Sequence, residues 1–187
     1  MTIRTDLAII WGVMTVLPML AQEYIGQNVT GWHMSEKLDG FRAMWNGRQL
    51  VSREGNAFRA PAWFIKELPA GVVLDGELYA GRGNLKIVKS TVTKRVPVDA
   101  EWKRITFHVF EAPLSAATYE ERQTAAFMAI RQSLVAEIVS YRRCHGDDNL
   151  NEYFFEVVNH GGEGLILRRP GSPYEQKRSG NLLKFKP

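Results

Sequence analysis

Cysteine is nearly absent: Cys144 stands alone among 187 residues. A single thiol excludes an internal disulfide and any cysteine-rich zinc site, and it fits a reducing compartment. Histidine is also sparse, and His33, His108, His145 and His160 show no metal-ligand spacing. There is no P-loop, no His-Glu-x-x-His and no Gly-x-Ser-x-Gly, so the common phosphate-cradle, metalloprotease and hydrolase signatures are missing. No apolar run is long enough for a comfortable membrane span. The best one, Leu7 to Leu17 and on to Ala21, falls short of the roughly 20 residues required. Neither sign of charge dominates: 24 Lys+Arg face 20 Asp+Glu, a net +4 that biases the surface mildly toward anionic partners. Repeats, low-complexity tracts and internal linkers are absent as well.

What is present belongs to a folded domain. An apolar share of 45% and a charged share of 24% exclude a disordered chain, a collagen and a coiled coil. A chain of this length buries roughly 70% of its unfolded surface in one domain without staples. Residues 1–17 read as a separate apolar segment, either a packed helix capped by Thr5 or Asp6 or a weak export signal headed by Arg4. Asp6 directly before the apolar run, and no Ala-x-Ala after it, favour a cytoplasmic protein; export to the periplasm is the alternative. The domain proper is read as 18–187.

The pattern along the domain is mostly strands and turns. Trp32 to Leu38 and Phe41 to Trp45 look extended. Asn46-Gly47 then forms a hairpin turn into Arg48 to Val51. Pro61 to Leu68 predicts a short helix with proline in its first turn. Val72 to Tyr79 predicts a strand interrupted at Asp75-Gly76-Glu77, followed by a helix over Asn84 to Lys94 and a strand over Ile105 to Phe110. Thr118 to Glu121 is a capping box opening a helix to about Gln132. A strand over Ile138 to Arg142, a helix over Leu150 to Asn159, and strands at Leu165 to Arg168 and Leu182 to Phe185 complete the expectation. The fold class is α+β, with mainly antiparallel sheets flanked by helices.

Chemistry concentrates in a few segments. Lys37, Asp39, Gly40 and Arg42 are packed within six residues at a strand end. Asp75-Gly76-Glu77 and Glu163-Gly164 place carboxylates beside or inside apolar strands, which is costly unless they are paired or metal-bound. Lys184 and Lys186 lie two residues apart on one strand face. Two strand carboxylates and two in-register lysines make a magnesium and phosphate site.

The ordered set resembles the nucleotidyltransferase domain of ATP-dependent DNA ligases, a superfamily shared with RNA ligases and mRNA capping enzymes. Lys37 to Arg42 matches Lys-x-Asp-Gly-x-Arg, and Ser52-Arg53 matches the short Ser-Arg motif that follows. Leu74 to Leu78 matches Asp-Gly-Glu, and Phe107 to Pro113 matches Phe-Asp-x-Pro, with Glu111 where Asp is usual. Glu163 to Ile166 matches Glu-Gly, and Leu183 to Lys186 matches Lys-x-Lys. Forty residues separate Lys37 from Glu77, 86 lead on to Glu163 and 21 to Lys184. The wording is most similar to small bacterial and phage-like DNA ligases, and the likeness covers about Pro18 to Pro187.

The resemblance implies that Lys37 attacks ATP to form a covalent lysyl-AMP, which passes to the 5′-phosphate of nicked double-stranded DNA. It gives nucleotide contacts to Lys37, Arg42, Glu77, Phe110, Lys184 and Lys186, and DNA contacts to Asp39, Arg42 and Arg53. Glu163 and Glu77 would hold Mg²⁺ or Mn²⁺. Phe110, in an apolar strand, is either an adenine platform or core. Arg168 and Arg169 either touch DNA backbone or form a solvated basic edge. The family's following OB-fold domain has no room after Lys186. The expectation is therefore a monomeric catalytic unit, without membrane contact, that ligates weakly alone and draws an OB-fold domain or protein from elsewhere. Two other readings stay open: an RNA ligase or capping-type enzyme, and a non-catalytic nucleic-acid or nucleotide-binding module.

Overall fold

The computed structural model describes residues 16–113 and 117–187. The helix or signal expected over residues 1–17 thus lies almost wholly outside the described residues. Among the described residues, ten strands form two five-stranded sheets. The first runs in the order β1 (Leu20–Glu23), β10 (Arg178–Phe185), β9 (Leu165–Arg168), β2 (His33–Glu36), β8 (Arg142–Arg143). The second runs β4 (Leu50–Ser52), β3 (Phe41–Trp45), β5 (Leu74–Tyr79), β6 (Thr106–Glu111), β7 (Ala136–Ile138). Pairing is mainly antiparallel, as expected, with two parallel exceptions at β1–β10 and β6–β7.

Each sheet has its own apolar core. The second sheet packs Ala43, Leu74, Leu78, Phe107 and Val109 against α1 (Ala62–Lys66), α2 (Leu85–Val92), α3 (Asp99–Trp102) and α4 (Tyr119–Ile130). The first packs Met34, Leu165, Leu167 and Leu183 against Leu150, Phe154 and Val157 of α5 (Asp147–Asn159). The α4 start follows its sequence signature. Glu121 N–H donates to the Thr118 hydroxyl at 3.3 Å, and Thr118 N–H donates to the Glu121 carboxylate at 2.8 Å.

Three expectations change. The strand over Val72 to Tyr79 is not broken at Asp75: β5 runs through it, because Asp75 is fully paired and Gly76 fits where a side chain would strike Phe107 and the His108 carbonyl. The single strand over Ile138 to Arg142 is instead two short ones, since the chain crosses there from the second sheet to the first. Strand β1 and the one-turn α3 are additions, too short to carry a readable period.

Register brings the motifs together. Strand β2 pairs with β9 through Glu36 and Leu165, and β9 pairs with β10 through Leu165 and Phe185. Lys37, Glu163 and Lys186 each lie one or two residues beyond these pairs, so all three emerge at one sheet end. The Lys37 amide donates to the Gly164 carbonyl at 2.9 Å and locks that convergence. Gly164 has φ of +133° and would drive a side chain into the Phe185 carbonyl, so the close approach requires glycine.

Candidate active site

A cleft of about 300 Å³ opens between the sheets. A second cavity of about 670 Å³ adjoins it. Lys37, Arg42, Arg53 and Glu77 line both. The first cleft is closed by Phe110, Tyr119, Tyr141, Ile166 and Leu182, and edged by Arg178 and Lys184. The second adds Arg59, Lys94 and Arg95 to the shared cations.

At the Lys37 end, Glu163 sits between two ammonium groups. Its Oε2 accepts from Lys37 Nζ and its Oε1 lies 2.5 Å from Lys186 Nζ. Burial alone would raise the Glu163 carboxyl, but the paired Lys186 and Lys37 outweigh it and hold it below the usual carboxylate range. The same contact raises Lys186 above the ordinary lysine value. Lys184 points along the same strand face but pairs with Glu23 at 2.7 Å.

Strands β3 and β5 build the opposite wall. Arg42 lies directly across from Glu77 in the β3–β5 ladder. Its Nε and Nη2 donate to the two oxygens of Asp75, both at 2.5 Å, and Nη2 also reaches the Met19 carbonyl at 3.3 Å. Asp75 is fully buried, which answers how the chain tolerates a carboxylate inside an apolar strand: a forked cation neutralises it. Burial pushes the Glu77 carboxyl up to about 7, against the pull of Arg42 and Lys37.

Phe110 is not core. In the β5–β6 ladder Asp75 faces Glu111 and Gly76 faces Val109, so Phe110 is the extra residue of a bulge. Its ring lies on the cleft, with the Arg42 guanidinium 4.9 Å from its centre.

The structure does not gather every expected residue. Asp39 lines neither cavity and has no side-chain hydrogen bond among the described residues. Arg53 does line both cavities, but it is exposed and paired with its neighbour Glu54 at 2.5 Å. Arg168 is no solvated edge: it is buried, donates to Glu111, and shares that carboxylate with fully buried Arg122 at 2.6 Å. Glu111 therefore serves a buried ion network. His33, Tyr119, Tyr141 and Tyr174 escaped the sequence because none belongs to a recognisable motif; His33 reaches Glu120 of α4 at 2.7 Å.

Residues 18–186 match the model of a family described as ATP dependent DNA ligase domain. The chain is 37% identical over 170 residues to a DNA ligase of Haemophilus influenzae, covering 90% of this chain and 62% of that protein. It is 25% identical over 176 residues to a DNA ligase of Archaeoglobus fulgidus, covering 80% of this chain and 31% of the relative. The chain thus spans less than two thirds of the length of these relatives. A solved structure of a Lig E DNA ligase aligns with a TM-score of 0.85 at 29% identity, over 93% of this chain and 70% of the other. A Chlorella virus DNA ligase–adenylate aligns at 0.73 and 20% identity, over 93% and 69%, a likeness of fold alone. The nucleotidyltransferase fold expected from the motifs is the fold of these structures.

Proposed function

Because this chain belongs to the ATP-dependent DNA ligase family, we propose that it charges Lys37 with AMP from ATP and passes the AMP to the 5′-phosphate of a DNA nick. The observation that carries this is the convergence of Lys37, Glu163 and Lys186 at the mouth of a cleft walled by Arg42, Glu77 and Phe110.

In the first step the Lys37 Nζ–phosphorus bond forms as the bond from the α-phosphorus to pyrophosphate breaks. A nick phosphate oxygen then attacks the same phosphorus and releases the lysine; the 3′-hydroxyl finally displaces AMP. The amine attacks only without its extra proton. Glu163 Oε2, hydrogen-bonded to Nζ, is the nearest acceptor for it. Glu163 is a weak base while both lysines hold it. When Lys186 leaves Oε1 for a phosphate oxygen, one of the two cations depressing Glu163 is gone and its basicity rises. Lys184 and Lys186 then act as point charges on the phosphate. Phe110 offers the adenine its ring face away from Arg42.

Glu163 and Glu77 supply the oxygen donors that Mg²⁺ or Mn²⁺ prefers. No group of three His, Cys, Asp or Glu converges among the described residues. An ion held by these two carboxylates would take the rest of its shell from water and phosphate oxygen. When bound, that ion supplies positive charge to the developing phosphate oxyanion.

Arg53, Arg59, Lys94 and Arg95 around the second cavity suit a nicked duplex. Incubating the full chain with ATP, Mg²⁺ and 5′-labelled nicked DNA or nicked RNA, and with pre-adenylated nicked DNA in the absence of ATP, tests this. The expected result is AMP-capped or sealed DNA, suppressed by added salt as phosphate contacts are lost. Activity on RNA ends alone would contradict it.

A further inference from the structure

The family resemblance gives Arg42 nucleotide and DNA contacts, yet most of its guanidinium is already engaged within the protein. Nε and Nη2 are taken by Asp75 and Met19, so only Nη1 remains without a protein partner among the described residues. The Asp75 carboxylate is held in turn from outside its own sheet. Tyr174, in the loop between β9 and β10, donates its hydroxyl to Asp75 Oδ2 at 2.8 Å across 99 residues of chain. The same hydroxyl accepts the Met19 amide at 3.0 Å. Met19 is itself fully buried, and its carbonyl accepts from Arg42. The four groups close a ring: Tyr174 to Asp75, Asp75 to Arg42, Arg42 to Met19, Met19 to Tyr174.

The ring joins the two sheets beside the cleft. Asp75 and Arg42 belong to the second sheet; Tyr174 and Met19 lie next to strands of the first. Its one exit toward the cleft is the Arg42 guanidinium, which lies over Phe110. Rotating that guanidinium would uncover the back of the ring. A two-bond fork to a carboxylate fixes the guanidinium plane, provided the carboxylate cannot itself turn. Arg42 alone leaves Asp75 free to swing with it. The Tyr174 hydroxyl, anchored by the Met19 amide, removes that freedom.

We infer that Tyr174 is a positioning residue for nucleotide binding: its hydroxyl pins Asp75, so that Arg42 and Phe110 are preorganised before ATP enters. This rests on the functional reading above and goes beyond it, since Tyr174 lines neither cavity. Preorganisation of this kind appears as binding affinity, because the ordering cost is met before the ligand arrives.

The test is the Tyr174→Phe variant of the full chain, which deletes one oxygen. Labelled ATP binding at equilibrium and the initial rate of covalent labelling against ATP concentration are both measured. Tyr153→Phe is the control: Tyr153 stacks by Arg142, 4.2 Å from its ring centre, away from the cleft. Tyr174→Phe is expected to raise Kd and KM for ATP about tenfold, the lower end of what a hydrogen bond to a charged group carries. Its kcat should stay within about twofold. Tyr153→Phe should leave KM unchanged. Asp75→Asn, which keeps the shape but loses the charge, should move KM in the same direction. In an Arg42→Lys background, where no fork can form, Tyr174→Phe should add less than about twofold.

An unchanged KM in Tyr174→Phe overturns the inference. So does a full tenfold effect that persists without Arg42. Wild type that neither binds ATP nor takes label removes the functional reading, and this one with it. Wild type that binds while Tyr174→Phe binds equally well removes this one alone.

Discussion

Glu77 shows how one side chain carries both a cost and a use. Its carboxyl is pushed up to about 7 by burial, from an ordinary 4.5. A folded value above the unfolded one means that the folded state favours the protonated form. Stability from this group is therefore full below pH 4.5 and declines as pH rises through about 7, amounting to about 3 kcal/mol at most. Glu77→Gln should raise the unfolding temperature at pH 8 and change it little at pH 5, while weakening ATP use. Thermal melts at the two pH values decide this; an equal shift at both would show that the ionised carboxylate costs nothing. At this scale the sequence was informative about identity and silent about pairing. Lys37, Glu77, Glu163, Lys184 and Lys186 stood out because each sits in a short motif of unusual chemistry. Asp75 stood out only as a cost. Its partners lie 33 and 99 residues away in the chain, and no local pattern encodes such distances.

Elements are joined by a second buried network. Glu111 of β6 holds Arg122 of α4 and Arg168 of β9, so one carboxylate ties a helix and both sheets together. Removing it leaves two buried guanidinium groups without an anion, a loss of about 3–5 kcal/mol. Glu111→Ala should therefore lower the urea midpoint sharply. Glu156→Gln, which breaks the exposed Arg142 pair, should barely move it. Similar midpoints for the two variants would refute the structural role of Glu111. The α4 start was legible because Thr118 and Glu121 form a local signature. The bulge that turns Phe110 to the cleft was not, because a bulge is a property of two strands in register. That is also why Phe110, on its apolar strand alone, reads as core, and only the family resemblance marks it as an adenine contact.

For the whole molecule, the decisive feature is that each sheet has its own core and the chemistry lies between them. Composition established one globular domain, and motif order suggested its family. The assembly of the site depended on the β2–β9–β10 register, which sequence periodicity leaves unspecified. Lys37, Glu163 and Lys186 meet only because three strands end together. We propose above all that this meeting point makes Lys37 a nucleophile toward ATP. That role is tested most directly by incubating the full chain with ATP and Mg²⁺, then reading the intact mass and mapping the modified peptide. One added AMP on Lys37 is expected, absent from Lys37→Ala. AMP on another residue, or equal labelling of Lys37→Ala, would contradict it.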